Sequence, residues 1–529
     1  MPEAGSQIVS EPRRSCRAPV YGQRAMVVSG HSAATLAGAR VLDGGGHIVD
    51  AMIAASAALA VVLGHATSLG GDCFVLYHEA ATGKTHALNA SGTAPALATP
   101  DRFPDGMKAH GPLAPVVPGL VRAWDVLHKR FGRRPWGDLF TDAIDLADAH
   151  TVSHILATRI EAHRKELSAD PGCAALYLPN GKALAVGDTL RQPALASTLR
   201  AVADKGADAF YRGDIARHID AYFREHQGVM RAEDLAGYAP LWVEPIAAEY
   251  RGHRVTVMPP NSYGGLLLMQ LTGLGAVDGA ALAGDPARRI AYQMSAMKMA
   301  FHLGVPLIGD PGKNPDSATR MLSAETTARM RAAVVNLESA PPVRDSSGTS
   351  CLMLADRAGN AICVVQSVFN VFGSAFLEPR TGLLFNNRMQ GFTPQPGRAN
   401  TLIPGTRPAH TLCPVLVFRQ GRVRFAMASP GGLSQTLTNA QVLTYLLDGR
   451  MDVAAAVEAP RWCNTRSGDF LVEAEFPESV LAALAEAGHK AKRRDDGYFY
   501  GSAKVIELLA SGNLAGAADH RREAFALGI

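Results

Sequence analysis

The sequence carries little net charge: 52 Lys and Arg against 48 Asp and Glu leave +4 over 529 residues. That balance gives no electrostatic footing to a nucleic-acid or anionic-membrane partner. Its basic cluster, Lys490, Lys492, Arg493 and Arg494, runs straight into Asp495 and Asp496 and reads as a solvated turn. Long apolar runs are also missing. The longest, Ala51 to Leu63, is Ala-rich, broken by Ser56 and too short to cross a bilayer. The opening MPEAGSQIVSEPRRSCRAP holds no apolar h-region, so no secretory signal is visible. Seven cysteines, at 16, 73, 173, 351, 363, 413 and 463, form no CxxC pair. An odd set of scattered thiols without an export signal is expected of a reduced, cytoplasmic protein. The phosphate loop GxxxxGK[ST], the nucleophile elbow GxSxG and the zinc motif HExxH are all absent. The 17 histidines are dispersed, so neither a metal nor an organic cofactor is expected.

What remains is globular. Hydrophobic residues make up 47% and charged residues 19%, which excludes wholesale disorder. The length calls for two or three lobes or one large enzyme domain. Residues 1–24 are polar and aperiodic and read as a tail or strand lead-in. Ala33 to Leu42 has the pattern of an amphipathic helix stopped by Asp43-Gly44, and Val49 to Leu63 that of a buried one. Cys73–His78 and Thr85–Asn89 read as strands about a turn at Thr82-Gly83-Lys84. Val121 to His163, Ala194–Lys205, Ile215–Glu225 and Ala287–Leu303 are helical, with strands at Glu244–Tyr250 and Val255–Met258. The stretch from Glu338 to Gly348 is rich in Pro, Ser and Gly and is expected to be exposed and flexible. Hairpins begin abruptly after it. Thr349–Ala355 and Ala361–Val368 flank a turn, and strands at Gly382–Phe385, Val415–Phe418 and Val423–Ala428 precede a helix at Ser434–Leu447.

Two places can carry chemistry. At Gly348-Thr349, a hydroxyl at the start of a strand can attack its own preceding carbonyl in an N-to-O acyl shift. Hydrolysis of the ester frees the Thr349 α-amine, whose reference pKa is near 7.7–8.0. That amine can take the Thr349 Oγ proton, so nucleophile and base share one residue. On residues alone, an ordinary hairpin start is the better fit. The second place, Ser429-Pro430-Gly431-Gly432, lies between a strand and a helix, where consecutive N–H groups can hold an oxyanion. A plain turn fits there too. Ser295-Ala-Met-Lys298 matches the S-x-x-K of serine acylases but has no Lys-Thr-Gly companion, and reads as a packed helix.

The chain resembles the gamma-glutamyltransferase (glutathione hydrolase) family of N-terminal-nucleophile (Ntn) hydrolases. The likeness is carried by DGGGHIVDAMIAASAAL (43–59), SLGGDCFVLY (68–77), APVVPGLVRAWDVLHKRFGRRPW (114–136), MPPNSYGG (258–265), GTSCLMLADRAGNAICVV (348–365), TGLLFNNRMQGF (381–392), RPAHTLCPVLVF (407–418) and SPGGLSQTLTNAQVLTYLLDG (429–449). It implies an α+β fold, a four-layer αββα sandwich. It also implies autocleavage at Gly348/Thr349, with Thr349 as nucleophile, Ser367 as companion hydroxyl and Gly431 and Gly432 as the oxyanion pair. Residues 25–348 then form a large subunit and 349–529 a small one, held together as a heterodimer within one domain.

The departures bear on the substrate. Pro100 stands where glutamyl-specific members hold the α-carboxylate with Arg; Arg102 is two residues off. Gly391 stands where they hold the α-ammonium with an acid. Phe369 replaces an Asn, His410-Thr411 replace a Ser-Ser pair, and Cys351 replaces a His. The resemblance thus places His410, Thr411, Phe369 and Gly391 in the substrate pocket, with Arg388 and Arg407 as further cationic candidates. The connection from Phe392 to Arg407 is short for a lid, which favours water as acceptor. The best-fitting branch is the oxamate amidohydrolase-like one, acting on a small acid amide; cousins cleave glutaryl groups from cephalosporin nuclei. Two alternatives stay open: a gamma-glutamyltransferase or glutathione hydrolase, and an inactive binding scaffold.

Overall fold

The computed structural model describes residues 17–338, 348–464, 470–489, 491–494 and 496–529. Two antiparallel seven-stranded sheets form its centre. The first runs, in spatial order, through Phe525–Gly528, Ala25–Ser29, Gly348–Asp356, Ala361–Phe369, Asp72–Glu79, Lys84–Ala90 and Leu241–Val243. The second runs through Val20–Gly22, Leu514–Ala518, Lys504–Leu508, Arg422–Ala428, Val415–Arg419, His253–Val257 and Ile246–Tyr250.

Alternation along the strands sets the layers. Leu352, Leu354, Ile362 and Val364 face helices, including Ser32–Asp43, Ile48–Val62 and Leu120–Phe131. Their neighbours Cys351, Met353, Cys363 and Val365 face the second sheet, meeting Leu416, Ala426, Ala428 and Ile506. The second sheet's far face, with Val255, Val257, Val415 and Phe425, packs on the helices Gly264–Leu274 and Ser434–Leu447. The result is the four-layer α, β, β, α order that the resemblance implies.

Sequence explains the helix limits. His31 and His47 cap their helices by accepting from Ala33 N and Val49 N. Asp50 accepts from His47 N and also from Arg133 N and Arg134 N, so one buried carboxylate ties two helical segments together. Ser56, the polar break in the apolar run, is not idle. It accepts from Trp124 Nε1 at 2.8 Å and lies 2.5 Å from Gln366 Oε1.

The structure differs from the sequence expectations in places. Val20–Gly22, within the segment read as a tail, is an edge strand opposite Leu514–Gly516. The strand expected from Glu244 starts at Ile246, because Leu241–Val243 belongs to the other sheet and the chain crosses between sheets at Glu244-Pro245. Gly382–Phe385 shortens to Leu383–Leu384. Of the segment expected to be flexible, 339–347 lies outside the described residues, and Gly348 is buried in a strand. Lys490 and Asp495 also lie outside them; Arg493 pairs with Glu478 and Arg494 with Asp496. Ser295 donates to Ala333 O and Glu338 O, so its hydroxyl serves helix packing rather than an S-x-x-K pair. No helix among the described residues is long and apolar enough to cross a membrane. The six described cysteines are buried and form no disulfide among the described residues; Cys16 lies outside.

Candidate active site

Gly348 and Thr349 open the strand Gly348–Asp356, which pairs with Ala361–Phe369. Gly348 pairs with Phe369 and Ser350 with Gln366, leaving Ser367 and Val368 opposite the single Thr349. This bulge brings two hydroxyls onto one carbonyl. Thr349 Oγ1 lies 2.7 Å from Gly348 O and Ser367 Oγ 2.5 Å from the same oxygen. The hydroxyls are 3.0 Å apart. Phe369 N donates to Ser367 Oγ at 2.7 Å, which turns the Ser367 proton toward Gly348 O.

The surrounding backbone enforces this. Phe369 sits at φ +80°, a strained region for a bulky residue. The turn that follows presses on Gly348: a Cβ there would lie 2.3 Å from Asn370 C and 2.5 Å from Val371 N. Only glycine fits before Thr349.

The glycine turn leaves the second sheet at the same end of the sandwich. Lys504 lies opposite Ala428, and its charge acts on the buried Cys351 thiol, two residues after Thr349, partly offsetting the rise that burial causes. Gly431 and Gly432 follow Ala428 closely, at φ +140° and +57°, values that L side chains rarely adopt. Among the described residues neither N–H has an acceptor. The helix Ser434–Leu447 begins immediately after, adding its N-terminal dipole.

A buried charged relay stands beside the hydroxyls. Asp72 faces Ser367 across the paired strands. Its Oδ1 accepts from Arg388 Nη2 at 3.2 Å and its Oδ2 from His410 Nε2 at 2.8 Å, and all three side chains are fully buried. Leu412 N donates to His410 Nδ1, which fixes the proton on Nε2. Burial, and then the Arg388 charge, push His410 down to about 4, so the ring is neutral. Burial works to raise Asp72, but Arg388 and His410 more than offset it and hold the carboxylate below its usual range.

The sequence matches the gamma-glutamyltranspeptidase family model over residues 34–529. It is 32% identical over 526 residues to the glutathione hydrolase-like YwrD proenzyme of Bacillus subtilis (strain 168), covering 96% of this chain and 99% of that protein. It is 32% identical over 528 residues to the acylase ACY 1 proenzyme of Pseudomonas sp. (strain SE83), covering 96% and 93%. The crystal structure of cephalosporin acylase from Bacillus halodurans superposes with a TM-score of 0.91 at 31% identity over 98% of each chain. The chain belongs to the gamma-glutamyltranspeptidase family. It is thereby a hydrolase of the gamma-glutamyltransferase and acylase class.

Pro100 opens a short turn, and Arg102 is committed to Gln227 O. A Cβ at Gly391, expected in the substrate pocket, would lie 2.4 Å from Ala409 O, so this position is sterically closed to a side chain. Arg407 is held by Asp310 and Ala239 O. His410, expected as a substrate ligand, has both ring nitrogens engaged inside the protein. Thr411 Oγ1 is buried without a partner. Phe369 carries the Arg388 guanidinium over its ring at 4.4 Å. Asp72 was missed by sequence reasoning; its signal is a lone carboxylate heading the apolar strand DCFVLY. Lys504 gives a similar signal, a lysine opening the buried strand KVIEL.

Proposed function

We propose that the chain is a self-processing amidohydrolase with Thr349 as its N-terminal nucleophile. In the precursor, Thr349 Oγ1 attacks Gly348 C while Ser367 donates to Gly348 O. The Oγ1 proton passes to the amide nitrogen as the C–N bond breaks, which gives the ester and the free Thr349 α-amine, and water then hydrolyses the ester to leave Gly348 with a carboxylate. In the processed enzyme the amine takes the Oγ1 proton as Oγ1 attacks a substrate amide. The N–H groups of Gly431 and Gly432 hold the oxyanion, the leaving amine departs with the proton, and water releases the acid. Residues 1–348 and 349–529 remain associated as a heterodimer, and the reduced cysteines fit a cytoplasmic setting. The observation that carries the reading is the convergence of Thr349 and Ser367 on Gly348 O.

The substrate we infer is a small acid amide of the oxamate kind or another short acyl amide. Its support is the missing glutamyl clamp. Loss of two charge-assisted contacts, each worth about 1.5–3 kcal/mol, costs roughly two to four decades of affinity for a γ-glutamyl head. The relative named glutathione hydrolase-like favours a second reading, γ-glutamyl hydrolysis; Pro100 and the closed Gly391 position stand against it. Ammonia release from oxamate, malonamate and succinamate, compared with γ-glutamyl-p-nitroanilide turnover, separates the two. Turnover of the small amides with a poor γ-glutamyl rate is expected; the opposite ranking overturns the substrate assignment.

A further inference from the structure

We infer that Arg388 is the receptor for a carboxylate on the acyl group, so the preferred substrate is the monoamide of a short diacid. The inference rests on the reaction proposed above but names a residue and a chemistry that the reaction does not require.

Arg388 is fully buried, and Asp72 occupies only one of its three nitrogens; among the described residues Nε and Nη1 have no partner. Buried guanidinium N–H groups left unpaired are costly, and a planar cation with free donors suits a carboxylate. Two links tie the guanidinium to the nucleophile. It lies over Phe369, whose N–H holds Ser367. Its anchor Asp72 is the cross-strand neighbour of Ser367, a relation that keeps Cβ atoms about 4.5–5.5 Å apart on one face. Both relations put the guanidinium next to the strand pair that carries Thr349, which suits an acyl group with a short chain between the attacked carbonyl and the carboxylate. The unpartnered Thr411 hydroxyl, next in sequence to His410, is a further donor.

His410 is a positioning residue here. Its Nε2–H holds Asp72 Oδ2, and Asp72 Oδ1 in turn holds Arg388, so a neutral histidine fixes the direction of a cation without meeting substrate.

The experiment uses processed wild type, Arg388→Gln and Arg388→Lys. Denaturing electrophoresis confirms processing. Calorimetry measures binding of succinate and of butyrate, its singly charged counterpart, and kinetics gives kcat/KM for succinamate and for the neutral butyramide. Wild type is expected to bind succinate more tightly than butyrate and to prefer succinamate over butyramide. Arg388→Gln is expected to lower both preferences by about 10- to 100-fold, and Arg388→Lys to recover part of them. Equal preferences in wild type and Arg388→Gln overturn the inference, as does a wild type indifferent to the second carboxylate. Succinate binding that depends on Arg388 without amide turnover sinks the reaction and keeps the receptor. Amide turnover independent of Arg388 does the reverse. Should Arg388→Gln not fold, the wild-type comparison and Arg388→Lys decide.

Discussion

The proposed reaction concentrates its chemistry in the Thr349 side chain and the amine that cleavage would free, so substitutions there are the sharpest probes. Thr349→Ala leaves no hydroxyl to attack Gly348 and is expected to stay full length and inactive, whereas Thr349→Ser processes more slowly but completely. Electrophoresis over a time course reads both. Ser367→Ala removes one of two donors on Gly348 O; by analogy with loss of an oxyanion donor, processing slows by about 10²–10³-fold. Gly391→Asp, which restores the acid of glutamyl-specific members, is expected to destabilise the protein without creating γ-glutamyl binding, because its Cβ meets Ala409 O. A melting curve and a γ-glutamyl-p-nitroanilide assay check the two halves. For His410, the folded value of about 4 lies below the ordinary 6.5. Between those values the unfolded chain binds the extra proton, so stability falls as pH drops from 6.5 toward 4. Buried His65, pushed down to about 3 by burial and nearby cations, adds in the same direction. Melting temperatures measured across that range are expected to fall, and to fall less in His410→Gln.

At the level of elements, the bulge opposite Thr349 depends on a glycine that the turn after Phe369 touches. Gly348→Ala is therefore expected to displace residues 369–371 and block processing, even though alanine is tolerated in most strands. Detection of the cut fragment by mass spectrometry would contradict this. Much of the framework was legible beforehand. The helix Ser434–Leu447 was read to its observed ends, because a strand, a glycine turn and an apolar run mark it locally. The buried helix Ile48–Val62 was visible in its composition. The relay was not legible. Asp72, Arg388 and His410 are more than 300 residues apart at their extremes and meet only through strand pairing and a loop, which no local pattern encodes. For the same reason His410 looked like a pocket ligand: sequence position gave its neighbourhood, while the partner of its Nε2–H came from Asp72 on another strand.

Across the whole molecule, both sheets interleave strands from either side of residue 348. Gly348–Asp356 lies between Ala25–Ser29 and Ala361–Phe369, and Val415–Arg419 between His253–Val257 and Arg422–Ala428. A cut at Gly348–Thr349 severs one backbone bond and no strand pair beyond it, so the fragments are expected to co-elute natively and separate only in denaturant. The central claim is that this bond is broken by the residue that follows it. Intact-mass analysis of the purified protein, with N-terminal sequencing of the smaller chain, tests it most directly. Two chains are expected, the smaller beginning at Thr349, and one uncut chain for Thr349→Ala. An active wild-type enzyme that remains a single 529-residue chain would contradict it.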